Sequence, residues 1–130
     1  MRIIPTKVHG MLDYIVGVLL IAAPWLFNFD RGGAETWVPV VVGVLVLLQA
    51  IMTDYEAGVI HKISMVNHLR MDFILGVILA ASPWIFNFSN IVWAPHVIVG
   101  IFSIIASIMT KTVPDYVHKP HTDFRTHHTS

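Results

Sequence analysis

Two copies of one short polar pattern are the residues in this chain best suited to chemistry. His9 and Asp13 lie four positions apart, and so do His68 and Asp72. On a helix that spacing sets an imidazole and a carboxylate on one face, a turn apart. A carboxylate so placed can fix the tautomer of an imidazole and raise its basicity, as behind metal-ligating histidines. His9 and His68, on separate helices, are therefore candidate ligands for a b-type haem or a divalent metal. Ionisable groups inside a membrane also mark proton paths. The plainer reading, which the pattern favours, is structural. Asp13 and Asp72, as a polar layer in the first turns of their helices, complement the helix dipole, and histidine at headgroup level stays hydrated. Lys7 or Arg70 is then the expected partner of a carboxylate.

Other chemistry is thinly represented. There is no cysteine, which excludes disulfides, thiolate zinc sites and Cys-ligated clusters. His96 reads as a lone interfacial histidine. His61, His118, His121, His127 and His128 form a loose basic group with Lys62 and Lys119, and such tracts can bind zinc or nickel, though here without a specific spacing. No nucleophile–base pair, phosphate loop or pair of catalytic carboxylates can be read, so a non-enzymatic protein is expected. With 8 basic and 8 acidic residues the net charge is zero, and nothing implies a nucleic-acid partner.

The elements that carry these residues are apolar. Hydrophobic residues make up 55% of the 130 and charged residues 12%, about half the share typical of soluble chains. Mean hydropathy is +0.70. Apolar stretches run from Val8 to Phe29, Trp37 to Met52, Met71 to Phe88 and Trp93 to Met109. Each approaches the 17–25 residues or so that a helix needs to cross a bilayer, the second and fourth being short. Arg2, Lys7, Lys62, Arg70, Lys111, Lys119 and Arg125 fall on one side of these stretches and only Arg31 on the other. The bias predicts both termini on the cytoplasmic side of the inner membrane. A cleaved signal peptide is not expected, because Pro24 follows the only small residues in the cleavage region and the segment recurs later.

The recurrence is extensive. Residues 9–29 match 68–88 at 12 of 21 positions with an offset of 59, and residues 40–53 match 97–110 at 6 of 14 with an offset of 57. This predicts repeat 1 over about 8–53, an inner linker over 54–66, repeat 2 over 67–110 and a polar cytoplasmic tail over 111–130, all one transmembrane domain. The expected fold is all-α: a membrane four-helix bundle of two tandem hairpins related by a pseudo-twofold along the membrane normal. Pro24 and Pro83, about two-thirds along their stretches, remove the amide that would bond Leu20 or Leu79 and predict fixed bends. Ser82 can bond a carbonyl one turn back; Ala23 cannot. Trp25, Trp37, Trp84 and Trp93 predict an interfacial belt, with an aromatic quinone or lipid pocket as the alternative. Gly17, Gly76, Gly43 and Gly100 predict close helix approach.

The repeated unit, an Asp, an apolar run with Gly, Ala23-Pro24-Trp25 or Ser82-Pro83-Trp84, Phe-Asn-Phe, a short loop, Trp and a second apolar run with Gly, resembles the SPW repeat family. Those are small bacterial and archaeal membrane proteins with Ser-Pro-Trp in the first of two spans. Ser82-Pro83-Trp84 matches in full; Ala23 lacks the hydroxyl. The resemblance implies the architecture above and no activity. The functional expectation is a membrane scaffold or accessory subunit packed in the bilayer against other subunits or itself. The alternatives are a redox or metal-binding protein using His9 and His68, and an ion or solute conduit. The conduit is disfavoured because only Gln49, Ser103 and Ser107 offer polar lining.

Overall fold

A computed structural model describes residues 2–114, and His118, His121, His127 and His128 lie outside them. The described chain is helical: α1 (Thr6–Leu26), α2 (Ala34–Met52), α3 (Met65–Ile85) and α4 (Ala94–Met109). Three of these, of 21, 19 and 21 residues, are long and apolar enough to cross a membrane. With 16 residues, α4 is about 24 Å long, shorter than the hydrocarbon core of roughly 30 Å. The helices pack chiefly as pairs, α1 on α2 and α3 on α4.

Each pair closes at its glycines. A Cβ added to Gly43 would lie 2.7 Å from the carbonyl oxygen of Gly17, and one added to Gly100 would lie 2.7 Å from that of Gly76. Backbone thus rests on backbone, the close approach that favours association where lipid removes the apolar driving force. Between the pairs, Leu20, Val42, Val46, Leu75 and Leu79 form the central core. Trp25, Trp37, Trp84 and Trp93 are each more than half exposed, so they face outward and line no aromatic pocket. That is the disposition of a belt.

The prolines sit differently from expectation. Pro24 and Pro83 fall in the last turns of α1 and α3, not two-thirds along, because both helices stop two residues later. Asn28 and Asn87 both adopt φ 58°, and the amides of Phe29 and Phe88 return to the carbonyls of Pro24 and Pro83 at 2.8 Å. This is a left-handed helix stop in which asparagine takes the place usual for glycine. Ser82 donates to Leu79 O at 2.7 Å, satisfying the carbonyl that Pro83 deprives of its amide. Pro39 lies inside α2, because the helix begins at Ala34 and not with the apolar stretch at Trp37. The carbonyl it deprives is that of Glu35, which accepts from His96 Nε2 at 3.0 Å. His96 is therefore not a lone interfacial residue. It is 1% exposed, between the rings of Phe29 and Phe88.

The repeats join crosswise. Ile4 bridges to Thr110, and Thr53 to Ile63, each a pairing of one repeat's start with the other's end. The chain after α2 then folds back on the end of the bundle where these pairings lie, and there Tyr55, Met65 and Leu69 form a second small core.

Candidate metal centre

At this end of the bundle α1 and α3 bring His9, Asp13, His68 and Asp72 together, each no more than 6% exposed. His9 Nε2 lies 2.7 Å from Asp72 Oδ2 and 3.2 Å from Asp13 Oδ1. His68 Nε2 lies 3.0 Å from Asp13 Oδ2 and 3.1 Å from Asp72 Oδ2. Each imidazole therefore meets the carboxylate of its own helix and that of the other repeat. Lys7 and Arg70, the partners expected from sequence, are both exposed and pair with neither carboxylate.

Two threonines fix the tautomers. Thr53 Oγ1 donates its single proton to Gln49 O at 2.5 Å, so it can only accept from His68 Nδ1, 2.6 Å away. Thr110 Oγ1 donates to Ala106 O at 2.6 Å and accepts from His9 Nδ1 at 2.7 Å. Both Nδ1 atoms thus carry hydrogen, and both Nε2 atoms face the carboxylates. The carboxylates are held in turn. Tyr55 donates its hydroxyl to Asp13 Oδ2 at 2.9 Å, and Gln49 donates its amide to Asp72 Oδ1. Burial, reinforced by the Asp13 charge, pushes the Tyr55 phenol far above its ordinary pKa, so it keeps the proton it donates.

A lone pair on Nε2 facing carboxylate oxygens at about 3 Å is repulsive unless a positive charge lies between them. A proton on each imidazole would serve, and so would one divalent cation; either leaves the cluster neutral. The two histidines differ here: His9 Nε2 is hydrogen-bonded to Asp72 Oδ2 at 2.7 Å, as a proton allows, and His68 Nε2 is not. The His68 atom is fully buried and has no aligned hydrogen bond to either carboxylate, although both are within 3.1 Å. One donor atom from each of the four residues falls within 4.8 Å of all the others. Four ligands about 2.1 Å from one ion stand roughly 3.4 Å apart, so small shifts close the set. Fixed Nδ1–H groups and hydrogen-bonded carboxylates are the outer support that metal ligands require.

Haem does not fit. The His9 and His68 rings meet edge to face with centroids 5.4 Å apart, carboxylates fill the space between them, and the adjoining cavity is only about 20 Å³. A macrocycle would need two nitrogens facing each other across its plane.

The histidines and aspartates were legible from spacing and repetition. Helical spacing points to no role for Thr53, Thr110 or Tyr55. The threonines close the repeated Ile-Met-Thr run, which is a signal for them, whereas nothing in the repeat points to Tyr55. Gln49 and Ser103, read as lining for a conduit, are engaged with Asp72, through its carboxylate and its backbone carbonyl respectively. His61 pairs with Asp54 at 2.8 Å, away from the cluster.

The family model for the SPW repeat domain matches residues 7–110. No curated protein and no solved structure matches the chain.

Proposed function

The chain belongs to the SPW repeat family, and from that premise we propose that it is a non-enzymatic membrane protein whose paired hairpins hold one divalent transition-metal ion. The ligands are His9 and His68 through Nε2 and Asp13 and Asp72 through one oxygen each. The supporting observation is the buried, unaligned Nε2 of His68 amid two carboxylates. Two imidazoles with two carboxylates suit zinc, iron or manganese, and the ion's charge cancels theirs inside a low-dielectric bundle. In this reading the ion ties the hairpins together, so a scaffold role becomes a metal-dependent one.

Metal analysis of the purified protein, with no chelator in any buffer, tests the proposal. One equivalent of a divalent transition metal is expected, lost in His9→Ala with His68→Ala. Wild-type protein that holds no more metal than the double variant, and melts at the same temperature with and without added zinc, iron or manganese, would overturn it. The four residues would then be a hydrogen-bonded layer in a scaffold.

The orientation belongs to the same proposal. All four helices cross the inner membrane, α4 with local thinning, and both ends are cytoplasmic, which puts the metal at the cytoplasmic end. The Lys and Arg distribution supports this. A reporter fused after Ser130 that is active only outside the cytoplasm would reverse it.

A further inference from the structure

One difference between the two repeats points to a second site. With the offset of 59, Gly10 corresponds to Leu69 and Tyr14 to Phe73. In repeat 1 the chain's own linker covers this place. Tyr14 donates to Ala57 O at 2.8 Å, Tyr55 is wholly buried, and a Cβ on Gly10 would lie 2.5 Å from that of Ala57. In repeat 2 the equivalent residues, Leu69 and Phe73, line a cavity of about 310 Å³ instead.

Its chemistry also differs. Arg70 stands where repeat 1 has Met11, and Arg2 reaches the same cavity, which no carboxylate lines among the described residues. Arg2 Nη1 donates to Ser107 O at 3.0 Å and Thr110 O at 2.7 Å, which anchors it on the end of α4 and leaves its other N–H groups for a ligand. Arg70, in the second turn of α3, is exposed and has no hydrogen bond or ion pair among the described residues. Below the two guanidiniums, Val66, Phe73 and Ile108 are 42%, 43% and 49% exposed and give an apolar wall.

We propose that this cavity binds one anionic phospholipid. Its phosphate sits between Arg2 and Arg70, and its acyl chains run along Val66, Phe73 and Ile108. Planar guanidiniums bind phosphate through paired hydrogen bonds, and basic pockets between helices at a cytoplasmic surface favour anionic headgroups. The volume reaches the lower end of ordinary ligand sites. A free phosphate would leave the apolar wall without a partner, and a zwitterionic lipid would bring an ammonium group to a site that already carries two cations.

The test uses full-length protein in phosphatidylcholine nanodiscs doped with phosphatidylglycerol, released into detergent, with retained lipid counted by native mass spectrometry. Phosphatidylglycerol is expected to be retained in preference. Arg70→Gln should lower that preference about fivefold, Arg70→Lys should keep part of it, and Lys7→Gln, on the equivalent turn of repeat 1, should leave it unchanged. Equal retention of both lipids would overturn the proposal. So would an unchanged preference in Arg70→Gln, an equal loss in Lys7→Gln, or displacement of the lipid by inorganic phosphate at matched concentration. Metal content is independent of this readout, so the two proposals fail separately.

Discussion

At the scale of single residues, the threonines decide what the histidines can do. Each hydroxyl is committed as a donor to its own helix and so forces a proton onto the Nδ1 it touches. Replacing Thr53 or Thr110 with valine keeps the volume and removes that constraint. The imidazole can then turn or change tautomer, and metal affinity is expected to fall about 10–100-fold, since outer-shell partners contribute on that order. Competition against a chromogenic chelator reads this directly, and unchanged affinity would show that the threonines only fill space. Spacing along one chain could reveal His9 with Asp13 and His68 with Asp72, because four residues make a helical neighbour. It could not reveal that His9 bonds Thr110 or that His9 meets Asp72, since those contacts depend on how the hairpins pack.

At the scale of elements, helix ends and crossings carry the fold. The sequence showed the glycine crossings but misplaced the stops of α1 and α3. Phe-Asn-Phe looks like the continuation of an apolar run, yet Asn28 and Asn87 turn the backbone left-handed and end the helices there. Similarly, the repeat sets Pro39 opposite His96, but only the fold brings the imidazole to the carbonyl freed by that proline. The crossings tolerate nothing larger than glycine. Gly43→Ala and Gly100→Ala each set a methyl within 3 Å of backbone oxygen, which cannot give way as a side chain would. A loss of about 1–3 kcal/mol per substitution is expected, measured by reversible unfolding in mixed micelles. A wild-type value for either would contradict the packing. In the turn between α1 and α2, the Thr36 hydroxyl and the Gly32 amide hold the exposed Asp30 carboxyl below its ordinary pKa. A folded value lowered in this way stabilises the turn above the ordinary carboxylate range and is lost as pH falls through the depressed value. Protection of the amides over residues 31–36, relative to their intrinsic exchange rates, should therefore fall at acid pH more in wild type than in Asp30→Asn; equal pH dependence would remove Asp30 from the turn's account.

At the scale of the molecule, the contacts between repeats are reciprocal. Ile4 with Thr110 answers Ile63 with Thr53, and His9 with Asp72 answers His68 with Asp13. Reciprocity of this kind is what a twofold between equal halves produces. The halves are therefore expected to superpose by a half-turn about an axis near the membrane normal, with Gly43 on Gly100 and Pro24 on Pro83. An experimental structure in which the rotation departs widely from a half-turn, or its axis lies in the membrane plane, would rule this out. The halves also depart from equality at the end of the bundle where Ile4 meets Thr110. Tyr55 and Gln49 both come from the first half and its linker, and Arg2 and Arg70 share one cavity on the second.

The even division of the four proposed ligands has a consequence for how such a protein can be made. Each half owns one histidine and one aspartate, and each half's threonine serves the other's histidine, so neither half contains a complete site. Cutting the chain at the exposed Val59–His61 segment severs no helix. Two fragments, 1–60 and 61–130, expressed together should reassemble and recover the metal, whereas either alone should hold none. In that sense the covalent chain is a tethered dimer: the linker raises the local concentration of one hairpin around the other, and the ion records that they have met.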